Sequence, residues 1–155
     1  MTFKLSARSE EKLIGVDEVL VDVVRHAISL TKQDFSVICG MRTKREQEAL
    51  VAKGASQTMK SKHLEGKAVD LMAYVAGSGG RWELNLYDEI ADAMAEAASD
   101  LGVTNLRWGA AWHIEDLASW WGNNNTAESA MNSYIDLRRS QGRKPFIDAP
   151  HFELV

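Results

Sequence analysis

The stretch "SKHLEGKAVDLMAY", Ser61–Tyr74, decides how the rest of the chain is read. From Lys67 onward, Ala68, Asp70 and Met72 alternate with Val69, Leu71 and Ala73. That is the period of a strand, and it puts Asp70 and its even-numbered neighbours on one face. Gly66 and Ala68 would let a loop turn back into that strand without a bulky side chain crowding an ion held by His63 and Asp70. The segment thus predicts a loop-to-strand junction that delivers a histidine and a carboxylate close together.

Working outward, "DFSVICG" at 34–40 is short, apolar and ends in glycine, which predicts a buried strand. "TKREQEAL" follows at 43–50 with Thr43 and Glu46 spaced as a capping box, so Arg42 stands at a strand-to-helix junction. Upstream, apolar residues from about Ser9 to Leu30 recur at helical spacing and predict one long amphipathic helix. Downstream, "GSGG" at 77–80 breaks the chain, and "LYDEIADAMAEAASDLG" at 86–102 predicts a helix ending in a glycine cap. "TNLRWGAAW" at 104–112 reads as a short strand and turn, then come an irregular piece and a helix starting near Thr126. "GRKPFIDAPHFELV" closes the chain as a loop and a final strand. Helices and strands alternate without a βαβ rhythm, which predicts an α+β fold with a small mixed or antiparallel sheet and helices packed on it.

At 155 residues the chain suits a single domain, 1–155, with a proper core. Its 45% hydrophobic and 26% charged residues are an ordinary globular mixture. The net charge is −4 and the 18 basic residues are scattered, which argues against nucleic acid as a partner. The first residues have no apolar signal core and no later run approaches a membrane span. The expectation is therefore synthesis in the cytoplasm without a signal peptide, and no membrane insertion. The lone Cys39 excludes an internal disulfide and, in its apolar run, reads as a buried thiol. No heptads are evident, so a monomer is expected.

An open catalytic zinc site takes three protein ligands and leaves a position for water, and two histidines with one carboxylate are an established set. His63 and Asp70 supply two. His151 is the best third, because Pro150 holds the chain extended before it while Phe152 and Leu154 can face the core. Asp148, three residues upstream, can supply the carboxylate that hydrolysis needs as a proton carrier. Two histidines and a carboxylate also hold iron(II) in oxygenases, although the six residues between His63 and Asp70 do not suit that class. A structural metal would want a fourth ligand. Bland readings stand beside these: Arg42 pairing with Glu46, His113 in a solvated turn, His26 at the surface or hydrogen-bonded, and most of the five tryptophans in the core.

"SKHLEGKAVD" resembles the Ser-x-His-x-x-Gly-x-Ala-x-Asp signature of the D-alanyl-D-alanine carboxypeptidase and dipeptidase family of zinc peptidases, and "DAPH" resembles its acidic-x-x-His motif. "GMRT", "LRWGAAW" and "HFELV" are similar, in order and spacing, to the L-alanyl-D-glutamate peptidase branch found as phage endolysins. The resemblance implies a hedgehog/D,D-peptidase-like fold. It implies His63, Asp70 and His151 as zinc ligands, Asp148 as catalytic base, Arg42 facing substrate or oxyanion, and Ser61 supporting the substrate site. It also implies peptidoglycan as substrate, cut at the L-Ala-D-Glu bond during host lysis, once the membrane has been made permeable. D,D-carboxypeptidase or dipeptidase activity is the alternative, and a non-catalytic wall-binding module a further one. One departure stands out: where relatives often carry an aspartate after "WG-x", this chain has Ala111.

Overall fold

The computed structural model describes residues 2–56 and 58–155. Eleven regular elements occur in chain order among them: α1 (Ala7–Lys12), α2 (Glu18–Leu30), β1 (Phe35–Cys39), α3 (Lys44–Ala52), β2 (Ala68–Val75), β3 (Gly79–Arg81), α4 (Leu84–Asp100), β4 (Leu106–Trp108), α5 (Leu117–Gly122), α6 (Ala127–Ser140) and β5 (His151–Leu154). A 3-10 turn, Lys62–Glu65, leads into β2. All strand pairs are antiparallel, in the order β1-β2-β5-β4, with β3 also on β2. The α+β expectation holds, and of its two sheet types the antiparallel one is realised.

β2 is the centre of this architecture and its alternation is the one read from the sequence. Val69, Leu71 and Ala73 are fully buried, whereas Asp70 and Met72 point to the other, partly open face. The buried set packs with Leu20, Val23 and Val24 of α2 and Ile90 and Met94 of α4 in one apolar core. Each such Val, Leu or Ile contributes about 1.5–3 kcal/mol on full burial. β5 pairs with the start of β2 in a register that sets Asp70 opposite His151. This single pairing joins the middle of the chain to its end.

The long helix expected from Ser9 to Leu30 is in fact two. Gly15 takes a left-handed conformation, φ 85°, and Asp17 caps α2 by accepting a hydrogen bond from the Val19 N–H. The break has a tertiary cause, since the Asp17 N–H donates to the carbonyl of Gly66 at 2.7 Å. A helix running straight through would lose that tie to the His63 loop. Two further differences are small. The "GSGG" break is a turn that returns the chain as β3, and α5 forms within the piece read as irregular. By contrast the capping box of Thr43 and Glu46, the start of α6 at Thr126 and the end of α4 before Gly102 all form as read.

Asp88 on α4 is an electrostatic weak point away from the sheet's open face. Its Oδ1 is buried with no hydrogen-bond partner among the described residues. Burial, with Glu128, Asp92 and Glu89 nearby, pushes its carboxyl up to about 6. A carboxyl whose folded pKa is raised destabilises the fold only when ionised. The penalty is absent below about pH 4, grows to about pH 6 and is constant above it. Asp88→Asn is therefore expected to add about 1 kcal/mol of stability at pH 7.5, allowing for solvent screening, and almost nothing at pH 4. Thermal melts at the two pH values check this, and an equal gain at both would contradict it.

Candidate metal centre

His63, Asp70 and His151 all reach the same cleft, each by a different local device. Ser61 caps the 3-10 turn, its hydroxyl accepting from the His63 N–H at 3.2 Å, and Gly66 ends the turn in a left-handed conformation at φ 69°. That Gly is sterically required, because a Cβ there would lie 2.5 Å from the Gly15 carbonyl oxygen. The turn leaves His63 buried with its imidazole over β2. Asp70 comes from the open face of that strand, and β5 brings His151 alongside.

Asp70 is the hub. Its Oδ1 lies 3.3 Å from His63 Nε2 and 3.1 Å from His151 Nδ1, and the two imidazole rings meet edge to face with centroids 5.2 Å apart. Ligand atoms around a tetrahedral zinc, with bonds of about 2.0–2.1 Å, stand about 3.3 Å from one another. The separations of Asp70 from both imidazoles fit that edge. Asp148 joins on the other side, since Asp70, Asp148 and His151 offer ligand atoms all within 4.8 Å of one another. The donor set of two imidazoles and a carboxylate suits zinc, and the second carboxylate stands beside it.

Charge in the cleft is organised around Asp70. Burial works against its ionised form, but hydrogen bonds from His151 and His63 outweigh it and hold the carboxyl well below the usual carboxylate range. Burial likewise opposes charge on His63, yet its bonds to Asp70 and Cys39 push it up to about 10. His151, against the same opposition, is pushed up to about 9 by Asp70 and Glu153. Asp148 moves the other way: burial first, then the neighbouring Asp70 charge, raise its carboxyl. A carboxylate that is reluctant to stay ionised is suited to taking up a proton.

Arg42 lines the same cleft, as do Ser61 and the lysines Lys60 and Lys62. Its guanidinium donates to Gln47 Oε1 at 2.7 Å and to Cys39 Sγ at 3.2 Å, and stands 4.0 Å from Asp70 Oδ2. The expected alternative partner, Glu46, is engaged instead in the capping box with Thr43. Gln47 is fully buried, and its amide also donates to Ser56 Oγ at 2.8 Å. The cleft measures about 900 Å³, and Trp112 and Phe146 form its apolar wall, stacked with centroids 6.1 Å apart.

Three residues of this neighbourhood were not read from the sequence. Cys39, expected as a simple buried thiol, is only half-buried and sits 3.6 Å from His63 Nδ1. Cys39, His63 and Asp70 form a second group whose potential ligand atoms lie within 4.8 Å of one another. However, His63 Nδ1 is the nitrogen bound to the Gly40 carbonyl at 2.8 Å, while Nε2 faces Asp70. The sulfur therefore stands behind the ring. Gln47 and Glu153 are the other two; Glu153 lies within "HFELV", but no role was read for it there. Away from the cleft, His113 bonds Ser133 Oγ at 3.0 Å and His26 bonds Asp100 at 2.8 Å, so both bland readings hold. Trp108 is fully buried, its indole N–H donating to the Ala149 carbonyl at 2.7 Å. Ala111, which follows Trp108-Gly109-Ala110, is also fully buried.

A His, Asp, His cluster with a spare carboxylate beside it, gathered at the open face of an antiparallel sheet, is a donor set that could hold a hydrolytic metal ion. The chain matches the phage L-alanyl-D-glutamate peptidase family over residues 1–155 and belongs to it. It is 34% identical over 116 residues to the L-alanyl-D-glutamate peptidase of Escherichia phage T5, covering 73% of this chain and 84% of that one. The crystal structure of the Serratia marcescens L-Ala D-Glu endopeptidase ChiX is similar at a TM-score of 0.70 and 33% identity, covering 99% of this chain and 90% of that one.

Proposed function

We propose that this chain is a zinc-dependent endopeptidase that cuts the L-Ala-D-Glu bond of peptidoglycan stem peptides and serves as a phage endolysin, with residues 1–155 as one catalytic domain acting as a monomer. The observation that carries the reading is the convergence of His63, Asp70 and His151 beside Asp148, in a chain matched from end to end by a family of that specificity. His63, Asp70 and His151 would hold the ion, which when bound would supply Lewis-acid polarisation of the scissile carbonyl and a more acidic water. Asp148 takes the proton of the attacking water and returns it to the departing amine, a task that its raised carboxyl pKa favours. Arg42, fixed by Gln47, keeps a positive charge facing the cleft for the oxyanion or for a substrate carboxylate. A glutamate joined through one carboxyl group leaves the other for such a cation. Ser61 supports the substrate side of the cleft through the turn it caps.

No described helix is long and apolar enough to cross a membrane. The enzyme would reach the wall once another agent has opened the membrane. Mass spectrometry of digested muropeptides tests the specificity. The expected products are stem peptides with a new D-glutamate amino terminus and glycan strands whose side groups are cut back to L-alanine. Release of free D-alanine or its dimer instead would assign the D,D-carboxypeptidase or dipeptidase activity.

A further inference from the structure

Glu153 is 4% exposed, a burial that an unpaired carboxylate would tolerate poorly. It is not unpaired. The pleat of β5 places it on the same face as His151, and its register in the sheet sets it between Ala68 of β2 and Arg107 of β4. Its Oε2 accepts from Arg107 at 2.7 Å and 3.2 Å, and its Oε1 meets His151 Nε2 at 2.7 Å. Arg107 in turn lies over the Trp112 ring at 5.7 Å, and Trp112 packs on His151 with centroids 5.4 Å apart. The imidazole is thus braced on its edge and on its face.

We propose that Glu153, held by Arg107, is a positioning residue that fixes the tautomer and ring orientation of His151 so that Nδ1 faces Asp70 and the metal. This rests on the zinc reading given above. Without an ion, His151 donates from both nitrogens, to Asp70 and to Glu153; an ion at Nδ1 would take the place of the proton there, while the Glu153 acceptor keeps the other proton on Nε2. His63 is treated in the same way with the opposite nitrogen: its Nδ1 is bound to the Gly40 carbonyl, which leaves Nε2 toward Asp70. One brace is backbone and cannot be removed by substitution. The other is a side chain and can.

Zinc affinity, measured on the full chain by competition with a chromogenic chelator, tests the proposal. Glu153→Leu fills the buried volume without an acceptor and is expected to bind zinc about 10–100-fold more weakly, as for other outer partners of ligating histidines. Glu153→Gln keeps an acceptor oxygen and is expected to recover part of that loss. A folded Glu153→Leu protein that binds zinc as tightly as wild type, while His63→Ala does not bind it, would overturn the positioning role and leave the metal site standing. Wild type that takes up no zinc would overturn both. Nitrogen-15 NMR of the zinc-loaded wild type needs no variant: a proton on His151 Nε2 is expected, and a proton on Nδ1 would refute the assignment.

Discussion

Asp148→Ala is expected to keep its fold and one equivalent of zinc while wall hydrolysis falls by about 10²–10⁴-fold, the range for loss of a general acid-base group. The two proposed roles fall on carboxylates in different surroundings. Asp70, with both imidazoles on one oxygen, is consumed in holding the cluster, whereas Asp148 approaches from the turn before β5 and its carboxyl is raised by burial and by the Asp70 charge. The backbone keeps that turn in place without the carboxylate. The Asp148 N–H donates to the Gly109 carbonyl at 2.8 Å, and its carbonyl accepts from the His151 N–H at 3.0 Å. Gly109 is needed there, since a Cβ would lie 2.2 Å from the Asp148 carbonyl oxygen. Metal analysis beside turbidity loss of purified walls makes the measurement. Undiminished hydrolysis would remove Asp148 from the mechanism, and lost zinc would recast it as a ligand.

His63→Ala is expected to lose both metal and activity. One of three proposed protein ligands disappears, and the expected fall in zinc affinity exceeds the roughly 10–100-fold typical of an outer partner. Zinc content after dialysis against micromolar metal should drop from about one per chain to near zero, with hydrolysis at background. The fold should survive, because the loop is also tied by backbone bonds, Arg42 N–H to the His63 carbonyl at 2.9 Å and Asp17 N–H to the Gly66 carbonyl at 2.7 Å. A variant that retains a full equivalent of zinc and its activity would exclude His63 as a ligand.

What the sequence disclosed and what it hid follow a physical division. Signals that act over a few residues were legible: the alternation of 68–73 and the capping box at Thr43 each operate within one element. The extended approach expected from Pro150 is instead a turn, closed by the His151 N–H on the Asp148 carbonyl. The spacing of His63 and Asp70 marked half the cluster. Features set by distant partners were not legible. Gly15 and Asp17 look like tolerable positions in an amphipathic run until the Gly66 carbonyl is brought to Asp17. Cys39 reads as core until the sheet places it behind His63. Glu153 reads as an ordinary strand residue, and only the β4–β5 register reveals that Arg107 and His151 claim both its oxygens. Its spacing of two from His151, which puts both on one face of a strand, is the signal that a sequence reading could have used.

The central claim is that two imidazoles and one carboxylate hold the ion and leave a corner open, with Cys39 behind the ring of His63 rather than on the metal. Zinc K-edge X-ray absorption of the protein loaded with one equivalent tests this most directly. The account predicts only nitrogen and oxygen scatterers at about 2.0–2.2 Å in the nearest shell. A sulfur scatterer at about 2.3 Å would contradict it, placing Cys39 on the ion and closing the site.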